Sequence, residues 1–173
     1  MRVKLCFTIL ALAVLAIFTV APLARAGWRH CKGTNTMIGM ASRAILFLDD
    51  TPKHTLELVS HFWSVKCEDC PQMDGARITV YATRDNVAGS GTSAGFSTWE
   101  TKDGDKIFTK FSHPTEMKLM EGGSWEAPYS GVWEYLGGTG KFKGIKGKGT
   151  FAGKLTPEGA APLKWEADIW LPD

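Results

Sequence analysis

The chain is short of the residues that most metalloproteins and many enzymes rely on. Its 173 residues include four histidines, four cysteines and three tyrosines. The histidines never fall at H-x₃-H spacing, and Cys67-Glu68-Asp69-Cys70 has no second CxxC to complete a four-ligand zinc shell. His30, Cys31 and His61 are the remaining residues that a metal at this pair would need, and they follow no ligand spacing. Pro71 stands where haem attachment requires histidine. No GxxxxGK[ST] phosphate loop is present, and Gly138-x-Gly140 is followed by Lys143 where a dinucleotide fingerprint places glycine. No serine has a recognisable activating context. Together these absences leave no metal and no cofactor to expect, and they put binding ahead of catalysis.

A strong charge of one sign is also missing. Lys plus Arg number 20 against 18 Asp plus Glu, but Arg2, Lys4 and Arg25 all lie in the first 26 residues, which hold no acid. The remainder therefore carries 17 against 18, a net charge of −1. Nothing in that balance points to a nucleic-acid partner. The N-terminus itself reads as an export signal. Arg2 and Lys4 precede an uncharged apolar run from Leu5 to Val20, and Ala24-Arg25-Ala26 forms an A-x-A cleavage site. Pro22 and Arg25 interrupt the run before it becomes a membrane anchor. Residues 1–26 are thus expected to be a cleaved signal helix. Residues 27–173 are expected to be one periplasmic or secreted domain with no stable membrane span.

In that compartment Cys31, Cys67 and Cys70 make an odd set, implying one bridge and one spare thiol or an intermolecular link. Cys31 to Cys67, Cys31 to Cys70 and Cys67 to Cys70 all remain open. A redox role for Cys67-Glu68-Asp69-Cys70 is disfavoured, because two acids beside a thiol raise its pKa and no βαβ context is present.

What the sequence does have is strand rhythm. From Thr55 the period is two, with Leu56, Leu58, Ser60 and Phe62 on one face and Glu57, Val59, His61 and Trp63 on the other. Ala76 to Thr83 is rich in β-formers. Phe96 to Thr101 and Lys106 to Ser112 flank Lys102-Asp103-Gly104-Asp105, a strong hairpin signal. Thr115 to Met120, Tyr129 to Leu136, Lys148 to Leu155 and Leu163 to Trp170 complete the set. Ile38 to Leu48 suits a helix by length and a buried strand by composition. About eight short strands predict an all-β antiparallel barrel or sandwich, and barrel closure would remove exposed edges.

Glycine is the one residue in conspicuous excess, with seven between Gly137 and Gly153. Gly137, Gly138 and Gly140 are expected to supply positive backbone angles in a reversal, with Phe142 and Ile145 tucked beneath it. Lys141, Lys143, Lys146 and Lys148 would form a solvated fringe, or with the backbone N–H groups an anion-binding nest. Gly137-Gly138-Thr139-Gly140-Lys141-Phe142, followed by Gly147, resembles the GGTG-x-F-x-x-A-x-G signature of dirigent proteins, and related turns occur in allene oxide cyclase barrels. Ile145 stands where that pattern has alanine and Lys146 where it has arginine. The segment is also similar to the ends of small exported bacterial proteins. The resemblance implies an eight-stranded antiparallel barrel with an apolar lumen and carries over no catalytic residue.

Candidate ligand-binding residues are Trp99, Glu100, His113, Tyr129, Trp133 and Tyr135. The aromatics lie in or beside predicted strands, and Trp133 and Tyr135 share a face. If that face is a lumen, a small apolar or amphipathic ligand is the expected partner. Glu100, His113, Glu116 and Tyr129 are the polar groups that a barrel enzyme or stereochemical guide would use. His113, beside Pro114, reads more simply as a strand-end residue at a surface turn. A third reading is an envelope interaction protein that uses the lysine-rich turn.

Overall fold

Ten strands carry nearly all of the structure, a computed structural model that describes residues 27–171. The signal expected over residues 1–26 lies outside the described residues. In chain order the strands are β1 (Gly27–Leu48), β2 (His54–Cys67), β3 (Arg77–Val87), β4 (Ser90–Glu100), β5 (Lys106–Thr115), β6 (Lys118–Leu119), β7 (Trp125–Gly138), β8 (Lys146–Thr156), β9 (Gly159–Ala160) and β10 (Leu163–Leu171). Each long strand pairs antiparallel with the next, and β10 returns to β1. Eight strands therefore close into an up-and-down barrel. The two-residue β6 and β9 are flaps on β7 and β8.

The expected all-β antiparallel barrel is thus the observed one. The ambiguous Ile38 to Leu48 stretch is strand, the far half of the 22-residue β1. The strand expected over Thr115 to Met120 is reduced to Lys118–Leu119, because the chain turns into a single 3-10 turn at Glu121–Gly123.

Inward and outward faces alternate as strands require. On β10, Leu163, Trp165, Ala167, Ile169 and Leu171 are buried while Lys164, Glu166 and Asp168 face water. On β2 the inward face is Glu57, Val59, His61, Trp63 and Val65, whereas Leu58 is 61% exposed. Two irregularities in β1, at Met37/Gly39 and Met40/Ser42, each shift its register against β2 by one residue. They re-aim the strand so that Met37, Met40 and Arg43 all line the interior.

One end of the barrel is plugged. Cys31, Met73, Ile107, Phe142 and Ile145 are each at most 2% exposed there. The Cys31–Cys70 disulfide ties β1 to the loop after β2, leaving Cys67 as a buried free thiol. Phe142 sits under the glycine turn as the sequence predicts. Gly140 has φ of 51°, and a Cβ there would strike the Asp105 carboxylate. Gly138 departs from expectation: it is required for close approach, since a Cβ would lie 2.6 Å from the Lys106 carbonyl oxygen.

Candidate functional site

The barrel encloses a cavity of about 660 Å3 that opens at the end opposite the plug. That volume lies within the range of small-molecule sites. Its deep part is aromatic. Trp99, Trp133 and Trp165 pack at centroid distances of 5.6–6.1 Å, and Trp133 stacks on Phe151 at 5.9 Å. Trp133 Nε1 is buried without a hydrogen-bond partner, but the other indole N–H groups of this layer are met. Trp165 Nε1 donates to Asn35 Oδ1 at 2.8 Å, Trp99 Nε1 to Ser97 Oγ at 3.2 Å, and Trp63 Nε1 to His61 Nδ1 at 2.6 Å.

Toward the mouth, four inward side chains lie in one register row across four neighbouring strands. Glu57 on β2 faces Arg84 on β3, Arg84 faces Ser93 on β4, and Ser93 faces His113 on β5. Arg43 completes the group from β1, donating through Nη2 and Nε to the Glu57 carboxylate at 2.9 and 3.1 Å. Arg84 Nη1 is 3.9 Å from the same carboxylate. Tyr129 and His113 lie against each other, ring centroids 4.9 Å apart, with Phe151 closing the aromatic side.

Burial sets the charge states in this lumen. The His61 imidazole is pushed down to about 4, first by burial and then by Arg84 and His113. Because its Nδ1 accepts from Trp63, the proton of the neutral ring is on Nε2. His113 is likewise lowered by burial, although the Pro114 carbonyl opposes the shift. Burial pushes the Tyr129 phenol up to about 12, with Arg84 opposing. Burial also lowers Arg84, opposed by Glu57 and reinforced by Arg43. A guanidinium nevertheless stays charged at any ordinary pH. At neutral pH both histidines and the tyrosine are therefore uncharged, and the two arginines and one glutamate carry the charge.

The structure brings together Trp99, His113, Tyr129 and Trp133 on the cavity wall. His113 is consequently a lumen residue, correcting its reading as a surface-turn histidine; the inward parity of β5 places it there, despite the adjacent proline. Tyr135 is buried below the cavity, in contact with Trp133. Glu100 is exposed at the plugged end opposite Lys106, and Glu116 is exposed beside Lys118, so neither joins the lumen. Arg43, Glu57, Arg84 and Ser93 are lumen residues that the sequence reading missed. Gly91-Thr92-Ser93-Ala94-Gly95 spells G-x-S-x-G, a signal that could have drawn attention to Ser93. It lies within β4, without the strand-to-helix turn that exposes a nucleophile.

Cys67 and Cys70 do not form a CxxC dithiol, because Cys70 is bonded to Cys31. Burial raises the Cys67 thiol pKa against the opposing backbone hydrogen bonds of Cys70 and Asp69, and its S–H donates to the Lys32 carbonyl at 3.4 Å. The residues weighed for a metal are dispersed. His30 lies on the outer wall beside Asp168 and Glu166, His61 is in the lumen, and Cys31 and Cys70 are bonded to each other. Among the lysines of the glycine turn, Lys141 pairs with Asp103 and Lys146 lies over the Trp170 ring.

No family model matches the chain, and no curated protein sequence does either. Solved structures do. The chain is similar to the pterocarpan synthase dirigent protein PsPTS1, with a TM-score of 0.51 at 12% identity, covering 85% of this chain and 97% of that one. It is also similar to the pterocarpan synthase dirigent protein GePTS1, with a TM-score of 0.47 at 10% identity, covering 96% and 98%. The chain has a dirigent-like barrel fold. At such identity the likeness speaks for the fold alone.

Proposed function

We propose that this dirigent-like barrel is an exported binding protein that holds a small apolar or amphipathic molecule in its lumen. The observation that carries this reading is the enclosed cavity itself, walled by Trp63, Trp99, Trp133, Phe111 and Phe151 and open at one end. A barrel built only for stability would fill that space with side chains. The apolar N-terminal run and the Cys31–Cys70 bridge both suit an oxidising compartment. Export predicts a mature chain beginning at Gly27 in the extracytoplasmic fraction; an intact N-terminus there, or retention in the cytoplasm, contradicts it.

The binding test uses a neutral aromatic probe, 2-naphthamide, followed by quenching of the lumen tryptophans. Ala82 lines the cavity, so Ala82→Trp occupies part of it. Saturable binding by the native protein and its loss in the folded Ala82→Trp variant are expected. No saturable binding of 2-naphthamide or of its carboxylate analogue 2-naphthoate, or equal binding by both proteins, sinks the reading.

A second reading, a barrel that guides or catalyses a reaction, is favoured by the group formed by His61, Ser93, His113 and Tyr129 beside Arg84. The similar solved barrels are described as pterocarpan synthases, and barrels of this kind can act by holding a reactive molecule in one geometry. Turnover of a bound molecule that is lost in His113→Gln, with binding retained, would separate this reading from simple binding.

A further inference from the structure

The lumen has an uncompensated positive charge. Of the residues lining the cavity, Arg43, Arg84 and Glu57 are the ones charged at neutral pH, which leaves one guanidinium in excess. The geometry says which one. Arg43 holds Glu57 through two hydrogen bonds, while Arg84 stands 3.9 Å from the same carboxylate, beyond hydrogen-bonding reach. Arg43 is also half-exposed at the mouth, whereas the Arg84 side chain is 25% exposed. A charge drawn that far from water is costly unless a partner of opposite sign meets it. Among the described residues that line the cavity, no second carboxylate is available to do so.

The groups nearest this guanidinium are suited to helping an anion. Ser93 faces Arg84 from the adjacent strand and His113 faces Ser93 from the next. The neutral His61 ring has its proton on Nε2, since Nδ1 accepts from Trp63, and Tyr129 keeps its phenolic proton. Ser93, His61 and Tyr129 are thus hydroxyl and N–H donors around a planar, forked cation, while His113, whose Nδ1–H is held by the Pro114 carbonyl, presents Nε2 as an acceptor. Beside them the wall is aromatic, formed by Phe111, Phe151 and Trp133.

We propose that the lumen is selective for an aromatic or alicyclic molecule bearing one carboxylate, which Arg84 binds while the apolar body lies against Phe111, Phe151 and Trp133. This rests on the lumen-binding reading above. One negative charge neutralises the excess, and a carboxylate matches the guanidinium fork in a way that a hydroxyl cannot. A dianionic phosphate would overshoot the charge and leave the cavity negative.

The test compares two probes of the same shape at neutral pH, 2-naphthoate and its neutral amide 2-naphthamide, by calorimetric or fluorescence titration. Native protein is expected to bind 2-naphthoate roughly ten- to a hundredfold more tightly, the worth of a hydrogen bond to a charged group. Arg84→Gln should abolish that preference while 2-naphthamide binding persists. Should that variant not fold, Glu57→Gln, which removes the competing carboxylate and leaves both arginines, should tighten 2-naphthoate several-fold and leave 2-naphthamide unchanged. If 2-naphthamide binds as well as 2-naphthoate, carboxylate selectivity is wrong while lumen binding stands. A preference that survives Arg84→Gln, or a Glu57→Gln variant that weakens 2-naphthoate, also overturns the role of Arg84. If neither probe binds, lumen binding and this inference fall together.

Discussion

The two ends of the barrel solve opposite problems with the same eight strands. At the plugged end the inward positions are mostly apolar and exclude water. Phe142, Met73 and Ile107 are essentially inaccessible, and a disulfide fixes the loop that carries Met73. At the open end the inward positions include Arg43, Glu57, Arg84, Ser93 and His113, a polar group in which Arg43 and Glu57 bond each other while Arg84 stands 3.9 Å from the shared carboxylate. A core made of the second set would not be stable alone, because buried charge costs more than it returns. The difference teaches where stability and recognition reside: the plug holds the barrel shut so that the mouth can keep a positive charge its own lining does not balance.

The comparison breaks most sharply at Phe142. Its side chain is 1% exposed beneath the glycine turn, packed where Gly138 admits no Cβ. Phe142→Ala should cost about 3–5 kcal/mol in chemical denaturation, the range for a large buried aromatic replaced by a cavity. A loss below about 1 kcal/mol would mean that the site collapses around the change and that the plug is dispensable.

How far the sequence foretold this division follows from particular residues. β10 was legible because Trp165, Ala167 and Ile169 alternate with Lys164, Glu166 and Asp168, so burial and polarity agree. The glycine turn was legible because Phe142 and Ile145 are the only large apolar residues among its lysines and glycines. The mouth was not. On β2 the inward face carries Glu57 and His61 while Leu56 and Leu58 point outward, which reverses the usual apolar-in pattern. Arg43 was hidden by the two register shifts in β1, which change the inward parity twice within five residues. Arg84 and Glu57 meet only once the pairing of β2 with β3 is known. A lumen is built from polar residues on three or four strands, and single-strand periodicity does not carry the register between them.

His61 lies between the two regimes, polar but joined to the tryptophan layer, and it sharpens the comparison through pH. Its folded pKa of about 4 is below the ordinary 6.5, so the unfolded chain binds its proton first as the pH falls. Stability is therefore unaffected by this group above pH 6.5 and declines as the pH drops from 6.5 toward 4. The slope is at most about 1.4 kcal/mol per pH unit. His61→Gln, which retains an acceptor for the Trp63 indole, should flatten that part of the stability profile in denaturant titrations. An unchanged slope would show that His61 reaches water in the folded state.

The smallest effect is expected at the feature most prominent in the sequence. Lys141, Lys143, Lys146 and Lys148 fringe the plugged end, and each is exposed or only partly covered. Lys141 forms a fully exposed pair with Asp103, and such pairs are screened by water and salt. The glycine backbone around them is set by Gly140 against Asp105 and by Phe142 below, so the turn does not depend on the lysine charges. Replacing all four by glutamine should leave the denaturation midpoint and the binding of both naphthalene probes within experimental error. The mouth is at the other end of the barrel, and a shift in probe affinity would require the charges to act along its whole length. Such a shift would show that the ends are coupled and that the plug does more than close the lumen.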